Sequence, residues 1–138
     1  MAGRRDAQQR EQVIEAIGHR LDPGEQVVAV LPFASTPKRP RQPGGKVRTG
    51  VYTSYRRYRP IVLTNRRLYV ISAGRTPYPR GLLADFPIAD VKFVDVVPAR
   101  FSESRLLLDL PGEGTVPFDL GRFDVEALPE LSATLEQT

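Results

Sequence analysis

Side chains able to carry out covalent or metal chemistry are scarce in this sequence. The one histidine, His19, falls in the last turn of a helical pattern, where a protonated imidazole meets the helix dipole favourably. A general base also needs a partner and a pocket, so the expectation for His19 is a structural or solvated role. Cysteine is absent, which removes disulfides, thiolate metal sites and cysteine nucleophiles. Asp85, Asp90 and Asp95 recur at a spacing of five, but an odd interval along a strand sends neighbours to opposite faces. Gly44-Gly45-Lys46 lacks the first glycine, the hydroxyl residue after lysine and the following helix of a phosphate loop. A Gly-x-Ser-x-Gly elbow is also missing. The expectation is a chain that is not an enzyme, with no catalytic residue, no metal site and no cofactor.

Charge is the more informative feature. Between Gln26 and Ala84 there are 12 cationic residues and no acidic one, whereas from Asp85 onward 11 acids face 4 bases. Such segregation creates a one-signed field that attracts anionic partners, unless the two blocks neutralise each other across neighbouring strands. The candidate anion- or partner-binding residues are Lys38, Arg39, Arg41, Lys46, Arg48, Arg56, Arg57 and Arg59. Tyr52, Tyr55 and Tyr58 are interspersed with them. An aromatic ring beside arginine can stack on a base while the cation holds a phosphate, or it can anchor the segment to the protein's own core.

The elements that must position these residues follow from hydrophobic pattern. Asp6 to Arg20 reads as a helix with Val13, Ile14, Ile17 and Leu21 on one narrow stripe, ended by Asp22-Pro23-Gly24. That stripe suits packing on the domain surface or docking on another subunit. Glu25 to Phe33 is a Val-rich first strand. Residues 34–58, interleaving proline and glycine with cations, read as a long loop. Arg59 to Thr64 and Arg67 to Ala73 form a hairpin about Asn65-Arg66, where asparagine tolerates positive φ and its amide can bond nearby backbone. Gly81 to Phe86 and Val91 to Val97 are further strands. Arg105 to Leu110 and Thr115 to Leu120 alternate apolar and polar positions around Pro111-Gly112-Glu113-Gly114, as a half-buried antiparallel pair does. Asp124 is a candidate cap, and Pro129 is placed at the first position of a final helix with Leu128, Leu131 and Leu135 inward. If the strand through Ile61 and Leu63 extends back, Arg57 and Arg59 share their parity and lean over the mouth of a barrel.

The stretch Ile61-Val62-Leu63-Thr64-Asn65-Arg66-Arg67-Leu68-Tyr69-Val70-Ile71 resembles the "vLTdrRLyv" hairpin of bacterial pleckstrin-homology-like (PH-like) domains. Phe86-Pro87 followed by Ile88-Ala89-Asp90-Val91 is similar to that family's "iplaDI" entry into its fifth strand. The resemblance covers Glu25 to about Leu135. The proline- and arginine-rich loop has no counterpart in the minimal family pattern. The resemblance implies a mainly β, β+α fold: a partly open seven-stranded antiparallel barrel or sandwich with a C-terminal capping helix. Residues 1–24 would add an amphipathic helix, and residues 25–138 would form the PH-like domain with its basic loop at 34–58. In phosphoinositide-binding members a lysine near the end of the first strand and a basic-x-Arg on the second converge on a headgroup. Lys38 or Lys46 with Arg57-Tyr58-Arg59 fits that pattern.

The functional expectation is a non-catalytic adaptor or assembly module. Its basic loop would contact an acidic protein surface or an anionic membrane. Nucleic-acid binding through the same loop and a purely structural role are the alternatives. The polar N-terminus and the absence of an apolar run of about 20 residues point to a cytoplasmic protein, possible at the membrane periphery but without a transmembrane segment.

Overall fold

The computed structural model describes residues 4–40, 50–53, 55–99 and 102–137. Helix α1 (Arg4–Glu15) leads through a 3-10 turn (Gly18–Arg20) into β1 (Val27–Leu31). Next come two short strands, β2 (Ser35–Thr36) and β3 (Arg57–Tyr58), then β4 (Ile61–Thr64), β5 (Arg67–Ser72) and β6 (Gly81–Pro87). A second 3-10 turn (Ile88–Asp90) precedes β7 (Lys92–Val97), β8 (Ser104–Leu110) and β9 (Gly114–Leu120). Helices α2 (Arg122–Val125) and α3 (Leu128–Glu136) close the chain. The strands form two antiparallel sheets, one of four in the order β1-β4-β5-β6 and one of five in the order β3-β2-β9-β8-β7. Among the described residues the architecture is mainly β with three helices, and neither sheet closes into a barrel.

The strand count differs from the expected seven because residues 34–58 are not a simple loop. The chain leaves the first sheet after Leu31, and Ser35 pairs with both Tyr58 and Asp119 in the second. Pro60, with no N–H to donate, then separates β3 from β4. The parity argument for Arg57 and Arg59 therefore fails: β3 and β4 belong to different sheets.

Strands β4 and β5 are buried on both faces, and their alternation assigns each face a cover. Ile61, Leu63, Leu68 and Val70 enter the central core with Leu106, Leu108, Val116, Phe118 and the α3 residues Leu131 and Leu135. Val62, Tyr69 and Ile71 point the other way, where Val13 and Ile17 of the N-terminal segment cover them, completely buried. The narrow apolar stripe of the sequence is thus the lid of a second, smaller core.

Two turns show what drives the register. In the β4–β5 hairpin no non-glycine residue adopts positive φ among the described residues, contrary to the expectation for Asn65. The Thr64 hydroxyl accepts the N–H groups of Arg66 (3.1 Å) and Arg67 (2.9 Å) instead. Asn65 reaches across the sequence, its Oδ1 accepting the Gln26 N–H at 2.8 Å. The β8–β9 turn does need left-handed backbone, and Gly112 (φ 78°) and Gly114 (φ 75°) supply it. Asp124 acts at the α2 start as expected, its Oδ2 accepting the Gly121 N–H at 2.8 Å. Pro129 is the second rather than the first residue of α3.

Candidate functional site

The described candidate residues Lys38, Arg39, Arg56, Arg57 and Arg59 lie at the end of the four-stranded sheet where β1, β4, β5 and β6 open into their longer connections. Backbone hydrogen bonds tie those connections together at the base. Arg59 N donates to Ala34 O (2.7 Å), Arg39 N to Thr53 O (3.0 Å), and Tyr58 N to Gly74 O (2.9 Å). Arg80 N donates to Ser72 O at 2.8 Å and closes the β5–β6 loop. Gln9 of α1 reaches the same loop, its amide donating to Pro77 O.

Within this framework the sequence-predicted residues divide by role. Arg59 is only 7% exposed. Its Nε donates to Val51 O (3.3 Å) and its Nη1 to Ala73 O (2.9 Å) and Tyr58 O (3.3 Å). It therefore holds three chain segments together. Burial, then the positive charge of Arg57, pushes its pKa down, since both disfavour a charged guanidinium. Arg57 lies over the Tyr55 ring, its guanidinium carbon 5.3 Å from the centroid, and Arg39 lies over Tyr52 at 5.0 Å. Each is a cation–π geometry. Arg56 sits 3.6 Å from Asp119. Lys38 is exposed. Arg41, Lys46 and Arg48 lie outside the described residues.

The tyrosines divide as well. Tyr55 is 66% exposed. Tyr52 packs against the central core, and burial raises its phenol pKa while nearby Arg39 and Arg105 pull it down. Tyr58 is held in the β2–β3 ladder opposite Ser35. Only Tyr55 of the three is well placed to meet a ligand.

The same end carries residues that the sequence pattern did not single out. Tyr78, 66% exposed, lies in the β5–β6 loop between Arg75 and Arg80. Lys38, Arg57, Arg75 and Arg80 stand in no ion pair among the described residues. Asp119, buried at 5% exposure, receives Arg105 Nε at 2.7 Å on the neighbouring strand. That contact holds Arg105 above its ordinary pKa, chiefly through the Asp119 hydrogen bond. The turn's register places Arg105 opposite Asp119, so the hairpin pattern contained this pair.

No three histidine, aspartate or glutamate side chains are grouped as a metal ion would need among the described residues. A groove of about 370 Å³, lined by Asp90, Lys92, Asp109 and the residues of the β8–β9 turn, contains none of the predicted basic residues. No helix among the described residues is long and apolar enough to cross a membrane. No protein-family model matches the chain, and no curated protein matches it in sequence.

Proposed function

We propose that the chain is a non-catalytic binding module of PH-like architecture whose cationic loop end engages an acidic surface on a protein. The observation that carries this reading is the chemistry of that end. Lys38, Arg57, Arg75 and Arg80 have no carboxylate partner among the described residues, and two exposed tyrosines stand beside them. Tyrosine and arginine are the residues enriched at protein interfaces and their hot spots, whereas lysine is depleted there. This chain has 17 arginines and 3 lysines. No exposed large aliphatic residue accompanies the tyrosines among the described residues of these loops, which favours a protein partner over insertion into a membrane. The PH-like assignment draws support from the order of the strands: β1 with the meander β4–β6 in one sheet, then the meander β7–β9 in a second that also takes in β2 and β3, then a helix packed on β1 and β7.

The test is a titration of labelled Asp/Glu-rich peptide, single-stranded oligonucleotide and anionic liposomes against the protein at low and high salt. The reading expects peptide binding that Lys38→Ala with Arg57→Ala, Arg75→Ala and Arg80→Ala weakens at least about tenfold. Oligonucleotide binding without peptide binding, with a steep salt dependence, would replace this reading by the nucleic-acid one. Liposome binding alone would replace it by the membrane one.

A further inference from the structure

The cationic end has a complementary surface on the same molecule. Resting on the reading above, we propose that its acidic partner is the β6–β7 edge of a second copy of this chain, giving head-to-tail self-association. Three observations lead there.

The first is that the two charge blocks of the sequence do not neutralise each other in the fold. Among the described residues the ion pair joining the acid-free block to the acid-rich one is Arg56 with Asp119. Arg66 and Arg67 pair instead with Asp22, from the N-terminal segment. Lys38, Arg57, Arg75 and Arg80 on one side, and exposed Asp85, Asp90 and Asp95 on the other, have no ion pair among the described residues.

Placement is the second. Strand β6 begins at Gly81, opposite Ser72 beside the cationic loops, and ends at Pro87, opposite Arg67 at the hairpin end. Seven residues of strand separate those ends by about 20 Å at roughly 3.3 Å each. β6 and β7 are edge strands of their respective sheets, joined by the turn Ile88–Asp90. Asp85 on β6, Asp90 in the turn and Asp95 on β7 therefore follow the chain from one edge strand to the other. Asp85 lies opposite Tyr69 and Asp95 opposite Leu107 in their ladders, and the groove lined by Asp90 and Asp109 lies at the turn. Lys92 is the cation within this stretch, and it lies opposite Asp109 in the ladder.

The third is the position of exposed apolar surface. The large hydrophobic residues exposed among the described ones are Tyr55, Tyr78 and Val94. The tyrosines stand among the cations and Val94 is next to Asp95. An aromatic anchor ringed by cations thus has an apolar, acid-flanked counterpart on the other copy.

The two surfaces are different patches, so the contact is heterologous, and the pair retains one unused surface of each sign, one on each copy. Such contacts build open chains unless a rotation closes them. Exposed ion pairs are individually weak and screened by salt, so the association is concentration-dependent and salt-labile.

Sedimentation velocity of the full chain at high concentration, at about 50 mM and about 500 mM salt, tests this. The expected result is a weight-average mass at least about twofold above the monomer at low salt, falling to the monomer at high salt. One variant carries Arg57→Ala, Arg75→Ala and Arg80→Ala. The other carries Asp85→Asn, Asp90→Asn and Asp95→Asn. Five of the six positions are exposed and Arg57 is half-buried, and thermal melts check that both variants remain folded. Each variant alone is expected to be monomeric. Their equimolar mixture is expected to stop at a dimer, because one intact surface of each kind remains. A wild-type chain that is monomeric at low salt, or variants that still self-associate alone, would overturn the inference. Acidic-peptide binding by such a monomer would leave the proposed function standing, whereas loss of peptide binding as well would remove both.

Discussion

Asp124 is fully buried, and its carboxylate accepts the N–H groups of Phe33 (2.9 Å) and Gly121 (2.8 Å). Burial outweighs those two bonds and pushes its pKa up to about 6 from 3.8, with the nearby charge of Asp6 adding to the rise. Because the folded pKa lies above the unfolded one, the associated stability is fully present below about pH 4. It is lost as pH rises through about 6, and amounts to about 3 kcal/mol at ~1.4 kcal/mol per pH unit. Asp124→Asn should abolish that slope, so the stability difference between wild type and variant, measured by urea unfolding, should change by about 3 kcal/mol between pH 4 and pH 7.5. An unchanged difference would contradict the assignment.

Glu25 has the opposite linkage. Burial raises its pKa, but donation by the Thr64 hydroxyl (2.6 Å), the Asp22 N–H (3.0 Å) and the Tyr69 hydroxyl (2.8 Å) leaves it lowered overall. Burial and Glu25 together push the Tyr69 phenol up to about 12. The stability from Glu25 is present above its unfolded pKa and is lost as pH falls through the folded one. Glu25→Gln should therefore cost roughly 1.5–3 kcal/mol at neutral pH, and the penalty should shrink in acid. The local bond of Asp124 to Gly121 was legible as a cap, but the long reach of the two carboxylates was not. Thr64 and Tyr69 lie 39 and 44 residues from Glu25, and Phe33 lies 91 from Asp124, separations that no local periodicity spans.

At the level of elements, the strands were legible wherever a local pattern dictated them. β8 and β9 show the alternating burial that Leu106, Leu108 and Leu110 facing Val116, Phe118 and Leu120 announce. The turn between them requires left-handed glycine, so Gly112→Val is expected to cost roughly 1–2 kcal/mol, read as a lower denaturant midpoint with an unchanged slope. The basic crossing was not legible, because β2 and β3 are two residues each and their pairing depends on where Pro60 turns the chain. That turn also determines what Arg59 does. Arg59→Ala leaves the carbonyls of Val51, Tyr58 and Ala73 without their donor, and should destabilise by roughly 2–4 kcal/mol. Arg57→Ala, at a half-buried side chain that stands over Tyr55 and makes no ion pair among the described residues, should change stability by no more than about 1 kcal/mol while weakening acidic-peptide binding. Equal effects of the two substitutions on stability would contradict this division of roles. The N-terminal stripe was legible as amphipathic, and its destination was not. Ile17→Ala should cost about 2–4 kcal/mol, because it opens the small core over Val62, Tyr69 and Ile71.

For the whole molecule, charge is what the sequence reports most directly and what the fold preserves. The acid-free block does not dissolve into internal ion pairs; Lys38, Arg57, Arg75 and Arg80 lie with Tyr55 and Tyr78 where three loop segments are tied together, whereas Arg66 and Arg67 stand at the hairpin end beside Asp22. Arg75, Arg80 and Tyr78 belong to that surface although the sequence pattern centred it on residues 38–59, because long-range bonds such as Tyr58 to Gly74 and Arg59 to Ala73 bring the β5–β6 loop alongside. Binding at such a surface should fall with ionic strength as the Debye length shrinks from about 10 Å at 0.1 M toward about 3 Å at 1 M. The most direct measurement is a backbone amide NMR titration of the full chain with an Asp/Glu-rich peptide at low salt. Shift changes are expected at Lys38, at Tyr55 to Arg57 and through Arg75 to Arg80, disappearing at high salt. Perturbations confined to β7 to β9, or none at all, would contradict the assignment of the interface.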